Sequence, residues 1–338
     1  MPPRRGKWDD FLDTWDERLR RAFLESVNNI RTRAQLNAIA AAIERGDIAG
    51  AVRSVGLDPA SFRPFDRTIE QAFEAGGQKT LGIVPAVARG DGARLRVDFN
   101  IRNPTAETWL RTHSGTKITQ IIEDQRTMVR THLTESMTQG IGPRTAALDL
   151  VGRINPTTGR REGGVLGLTS SQAEWVRNYR QEVANGSSAA LNRNLRDKRF
   201  DAAVQRSIRT GEPIPADTQS AMVNAYKNRA LRNRAETIAR TEAMASIHQS
   251  QEEAMRQAME AGIDPDSVGY VWRTAADSSR VRDSHATMNG QEVGVDEPFV
   301  TGNGVRLMYP GDPDGPPEEI INCRCWREPR VDFLADLD

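Results

Sequence analysis

The sequence predicts a mainly α-helical N-terminal and central region followed by a small α+β C-terminal module, in which β-hairpins come after a long helix. Three observations lead there. Apolar residues recur at threes and fours over much of the first 260 positions, the spacing that gathers them on one helix face. Residues 217–261 contain neither Gly nor Pro, so no residue there breaks a helix. Beyond Trp272 the turn formers crowd together. A chain of 338 residues suggests two or three domains. We divide it into 1–103, helical with one strand; 104–235, helical and basic; 236–330, the α+β module; and 331–338, an acidic tail. An apolar share of 38% and an aromatic share of 6% suit a helix-rich chain better than one large core.

Taken in order, residues 8–30 read as an amphipathic helix, with Trp8, Phe11, Leu12, Trp15, Leu19, Phe23, Val27 and Ile30 on one stripe. That stripe is core, or, on a helix with little to pack on, a docking element for a partner. A second helix over 33–45 is closed by Gly46. A third runs from Phe62 to Glu74 and stops at Gly76-Gly77. Leu95, Val97, Phe99 and Ile101 alternate with Arg, Asp and Asn, as in a half-buried strand ended by Asn103-Pro104.

Thr105 can cap a short helix through Leu110, and Ile118 to Gln139 marks a longer one, broken by Gly140-Ile-Gly142-Pro143. A short helix covers 144–151. Residues 152–168, rich in Gly, Thr and Arg, read as a mobile basic loop; they lack the Gly-Lys-Ser/Thr ending of a phosphate-binding loop. Thr169-Ser-Ser-Gln172 is a capping box before the helix of Trp175, Val176, Tyr179 and Val183. Residues 189–210 read as basic and helical. For 217–261 two helices meeting near residues 234–237 are expected, since one helix would reach ~68 Å at 1.5 Å per residue.

The stretch from Trp272 to Cys325 carries the chemistry. Asn289-Gly290 signals a tight hairpin, because a type I′ turn needs positive φ at both central residues. Gly302-Asn303-Gly304 signals a second, and 311–317 is too rich in Gly and Pro to be helical. Both cysteines of the chain stand here as Cys323-Arg-Cys325, with His285 upstream. Two thiols and an imidazole are ligands for a borderline-soft ion such as zinc, in a structural site. The fourth ligand would be Asp283, with Asp277, Asp312 and His248 as alternatives. The other reading is a β-rich module held by hydrogen bonds with both cysteines free. Arg273, Asp277, Arg280, Arg282 and Asp283 form either a phosphate or acid–base site or an ion-pair network pinning a turn.

Lys and Arg (46) balance Asp and Glu (46), but not locally. Net charge is +3 over 1–152, +8 over 153–240 and −11 over 241–338. The basic middle, with Arg160, Arg161, Arg193, Arg196, Lys198 and Arg199, suits contact with nucleic acid. It equally suits attraction between the two ends of the molecule or between copies. Two close cysteines make no disulfide framework and fit a reducing cytosol. No apolar run approaches the length of a membrane span. The start, Met1-Pro-Pro-Arg-Arg-Gly, lacks the apolar core of a secretion signal, and none is expected.

The ordered set Arg240-Thr241-Glu242, Trp272, Asp277, Arg280-Val-Arg282, His285, Asn289-Gly290, Phe299, Tyr309-Pro310-Gly311-Asp312 and Asn322-Cys323-Arg324-Cys325 resembles the phage Mu protein F-like family. The resemblance covers about 90 residues, 239–327, and extends more weakly into the helical part. These are minor head, or head morphogenesis, proteins of tailed bacteriophages. The resemblance implies a structural, non-enzymatic protein inside the virion head near the portal, made in the host cytoplasm. It implies as partners the portal protein, scaffolding or major capsid protein, and packaged double-stranded DNA. Arg240, Glu242, Trp272, Asp277, Arg280, Arg282 and Asn322 are the positions that match its motifs and would brace the module. The rival expectation is an enzyme or toxin-like module acting on nucleic acid through the Arg/Asp/His/Cys cluster. With 13 residues after Cys325, no appended effector domain is expected.

Overall fold

The computed structural model describes residues 7–84, 87–88, 94–95, 97–275 and 281–332. Its elements begin with α1 (Lys7–Arg33), α2 (Leu36–Glu44), α3 (Ile48–Val55), α4 (Arg63–Leu81), β1 (Val87–Ala88) and β2 (Arg94–Leu95). Next come α5 (Pro104–Thr138), α6 (Pro143–Val151), β3 (Arg153–Ile154), β4 (Arg161–Glu162), α7 (Ser170–Ala184), α8 (Asp201–Thr210) and α9 (Ala216–Glu260). The chain ends with β5 (Val268–Arg273), α10 (Asp283–Ala286), β6 (Glu292–Gly294), β7 (Phe299–Val300), β8 (Arg306–Leu307), α11 (Pro317–Ile320) and β9 (Trp326–Val331). The predicted class holds: helices dominate, and small antiparallel sheets follow the long α9.

Several elements differ from expectation for physical reasons. Helix α4 runs through Gly76-Gly77. Both glycines are buried, and a Cβ at Gly76 would collide with Ser250 Oγ and press on Ile247 Cα at 3.2 Å. At Gly77 it would collide with the Phe99 ring. Here glycine permits close packing and does not end the helix. Helices α5 and α9 are each unbroken: neither contains a Pro after its first turn, and α5 runs on through Ser114-Gly115. The strand expected over 95–101 is limited to Leu95, paired with Val87. Residues 97–103 keep alternating burial without a strand partner. Residues 189–210 form two 3₁₀ turns, Ser188–Asn192 and Lys198–Phe200, before α8. Helix α3 was not anticipated; Asp47 caps it by accepting from the Gly50 N–H, and Gly56 ends it with φ +70°.

The chain forms two compact units, Met1–Ala22 with Phe65–Gly115 and Glu236–Asp338, and Phe23–Pro64 with Thr116–Ala235. The stripe of α1 from Trp8 to Ile30 is buried except for Phe11, which is half-buried.

In the second unit the expected mobile loop is partly interior. Residues 153–162 make a two-strand hairpin, and residues 164–168 are buried. Their carbonyls take bonds from helix side chains. Arg31 donates to the Gly164 and Leu166 oxygens, Gln125 to Leu168, Lys227 to Gly163 and Arg234 to Gly167. A buried backbone needs such partners.

In the first unit α9 is the axis. From Glu242 to Ala258 every residue is buried except Gln249 and Arg256. A three-stranded antiparallel sheet, ordered β6-β5-β9, packs its buried Val268, Tyr270 and Trp272 into a core with Met255, Ala258, Phe299 and Leu307. The strands β7 and β8 pair Phe299 with Leu307, the hairpin expected around Gly302-Asn303-Gly304. Asn289-Gly290 does not close a tight hairpin. Of the two only Gly290 has positive φ, and the turn leads from α10 into β6. Val331, read as the start of the tail, ends β9 opposite Val268; residues 333–338 lie outside the described residues.

Candidate metal centre

The penultimate residue of β5 is Trp272, whose side chain is fully buried with its ring 5.3 Å from His285 and 5.2 Å from Phe299. His285 sits on the single turn of α10. The approach to the cysteines depends on Asn322, which takes φ +61°, a left-handed conformation that Asn tolerates better than most side chains. That bend sends both thiols inward. His285, Cys323 and Cys325 are each 1% exposed.

Nδ1 of His285 lies 3.5 Å from Sγ of Cys323 and 3.6 Å from Sγ of Cys325. All three donor atoms fall within 4.8 Å of one another. The Cys325 backbone N–H is 3.5 Å from the Cys323 sulfur. Of the two thiols Cys323 ionises first: the Cys325 thiol, then the His285 ring, lower it against the effect of burial. On the far side of the imidazole, Nε2 stands 2.9 Å from Oε2 of Glu319, off hydrogen-bond alignment. Burial works against ionising Glu319, but hydrogen bonds from Asn303 and Ser284 prevail and keep its carboxyl below the usual range.

The other expected residues have separate places. Asp283 is exposed and outside the donor trio. The Asp312 carboxylate accepts from the backbone N–H groups of Met308 and Asp314. His248 is 2.8 Å from the Pro310 carbonyl through Nδ1 and accepts from the Arg327 N–H through Nε2. Arg282 donates to the carbonyls of Glu318 and Ile321, bracing α11 and the turn before the cysteines. Arg240 pairs with Asp16, and Glu242 lies 2.7 Å from His113, itself stacked on Trp109. Asp277 and Arg280 lie outside the described residues.

Among the basic residues singled out, Arg193 pairs with Glu182, Arg196 with Asp201 and Arg199 with Asp197. Arg161 donates to the Gly152 carbonyl, while Arg160 and Lys198 are exposed.

Glu319 escaped the sequence reading. Two adjacent glutamates, Glu318 and Glu319, precede the cysteines, and nothing in their order says which faces inward. A second buried network also went unseen. Arg327, 1% exposed, donates to the Glu252 carboxylate (2.7 Å) and the His248 carbonyl (2.8 Å), with its guanidinium 3.8 Å from the Tyr270 ring centre.

Residues 198–327, from the second 3₁₀ turn through α9 and the sheet to Arg327, match the family model described as Phage Mu protein F like protein. The matched stretch, 130 of the chain's 338 residues, is similar to that family. The donor trio, Glu319 and Arg327 all fall inside it. A stretch of 103 residues, 30% of this chain, is 33% identical to a Bacillus subtilis (strain 168) protein described as uncharacterized protein YqbB. The aligned stretch spans 32% of that relative, about a third of its length. No solved structure matches the chain.

Proposed function

We propose that this chain is a minor head protein of a tailed bacteriophage, acting structurally in head morphogenesis. The similarity to the Mu F-like family over residues 198–327 carries this reading. In it, the chain is made in the host cytoplasm, docks on the portal protein at the inside of the head beside scaffolding or major capsid protein, and aids genome packaging or delivery. No helix among the described residues is long and apolar enough to cross a membrane, which suits that setting. Exposed Arg160, Lys198 and Arg199 are the side chains through which it would meet packaged DNA.

The test is to follow the tagged chain through particles of the phage that encodes it. Co-sedimentation with proheads and DNA-filled heads, together with capture of the portal protein, is the expected result. Absence from both kinds of particle would defeat the reading. The DNA contact is tested separately by salt titration: log affinity should fall linearly with log salt, by about 0.9 per phosphate neutralised. Salt-independent binding, or none, removes DNA from the partners.

A further inference from the structure

The trio in the matched stretch is more than three neighbouring donors. A neutral imidazole nitrogen has one in-plane lone pair and accepts in line from one thiol at a time. Yet Nδ1 of His285 is almost equidistant from two sulfurs. A tetrahedral zinc ion, with bonds of about 2.3 Å to sulfur and 2.0–2.1 Å to nitrogen, sets each N–S pair about 3.5 Å apart. Both observed distances meet that value together.

The surroundings agree. A metal-bound histidine commonly presents its other ring N–H to a carboxylate. Glu319 is the carboxylate beside Nε2, and Ser284 and Asn303 fix it at 2.8 Å each. The buried indole N–H of Trp272 has no hydrogen-bond partner and lies beside Cys325, where a thiolate would receive it. Two thiols with an imidazole favour zinc over magnesium or calcium, which take oxygen ligands.

We infer that His285 Nδ1, Cys323 and Cys325 bind one zinc ion, that Glu319 is the positioning carboxylate for His285, and that the fourth place takes a donor from outside this trio. Asp283 has no part in it. The ion would tie α10 to the start of β9 across about 40 residues, so binding and folding of the module are coupled. This holds whatever part the chain plays in a phage head.

The test uses the full chain, purified reduced, with zinc measured by elemental analysis and affinity by chelator competition. About one zinc per chain is expected, with loss in Cys323→Ser and Cys325→Ser. Glu319→Gln should keep the stoichiometry with affinity lowered about 10–100-fold, and Asp283→Ala should bind as the original chain does. Should the serine variants fail to fold, the unaltered chain loaded with cobalt decides. Thiolate-to-cobalt charge-transfer bands with tetrahedral d–d intensity support the site. Failure of the reduced chain to take up zinc or cobalt overturns it, as does undiminished affinity in Cys323→Ser. Unchanged affinity in Glu319→Gln removes the positioning role, and metal loss in Asp283→Ala overturns the ligand set.

Discussion

The two units use buried cations in opposite directions. In the second, helices reach out to a loop: Arg31, Lys227 and Arg234 donate to carbonyls of residues 163–167. In the first, a strand reaches back to a helix: Arg327 of β9 donates to the carboxylate of Glu252 and the carbonyl of His248 on α9. The guanidiniums of Arg31 and Arg327 are both buried, but their partners differ, one neutral and one charged. Removing a cation from carbonyls leaves unpaired dipoles; removing it from a carboxylate leaves an unpaired charge, which costs more. The comparison also shows that a basic stretch in sequence is no measure of a basic surface.

The largest expected effect follows from that difference. Arg327→Met should destabilise the first unit by about 3–5 kcal/mol, because Glu252 stays buried and uncompensated. Restoring neutrality with Glu252→Gln in the same chain should recover part of the loss. Urea unfolding of both variants checks this, and equal stability of the single and double variants would contradict it. Arg31→Met should cost less, about 1–3 kcal/mol, from the unsatisfied Gly164 and Leu166 carbonyls. If Arg31→Met proves the costlier of the two, the proposed contrast between dipole and charge is wrong.

A third measurement compares histidines. Burial pulls His132 of the second unit down to about 4 and His248 of the first to about 3. Unfolded imidazoles titrate near about 6.5. Each therefore stays neutral in the fold while the unfolded chain takes up a proton. The stability this contributes is full above about pH 6.5 and is lost as pH falls through the folded value. Between pH 7 and 5 each should cost on the order of 1–2 kcal/mol, and His132→Gln and His248→Gln should each flatten the decline. A decline as steep in both variants as in the original chain would locate the acid sensitivity elsewhere. The smallest effect is outside both networks: Arg160→Glu, at an exposed position, should leave stability within about 0.5 kcal/mol while weakening any binding to DNA.

Much of this architecture was legible in the residues. The stripe of α1, the capping box at Thr169 and the hairpin around Asn303 rest on local chemistry, which acts wherever the rest of the chain goes. So does the convergence of Cys323 and Cys325, two residues apart. What stayed hidden depends on distant neighbours. Gly76-Gly77 looks like a helix stop until Ile247, Ser250 and Phe99 are seen to crowd it. Lys227 and Arg234 look like surface charge until the carbonyls of residues 163–167 come to meet them. Glu319 could not be told from Glu318, since a one-turn helix has too little periodicity to reveal its inner face.

The enclosed stretch of α9 has a consequence during synthesis. A helix buried on nearly every side would ordinarily be apolar, yet Glu242 to Ala258 is built largely of Ala, Ser, Gln, Glu and His. On the ribosome this segment emerges before the strands that will cover it. Its polar make-up offers no long apolar, uncharged window for other chains to stick to during that wait. The cost is deferred to the folded state, where the polar groups need partners: Gln251 and Glu252 meet Arg327, and Gln257 meets Asn100, while the Ser246 hydroxyl stays buried without one. That makes closure of the module around the helix an all-or-nothing event, since a partial covering would bury groups it could not satisfy.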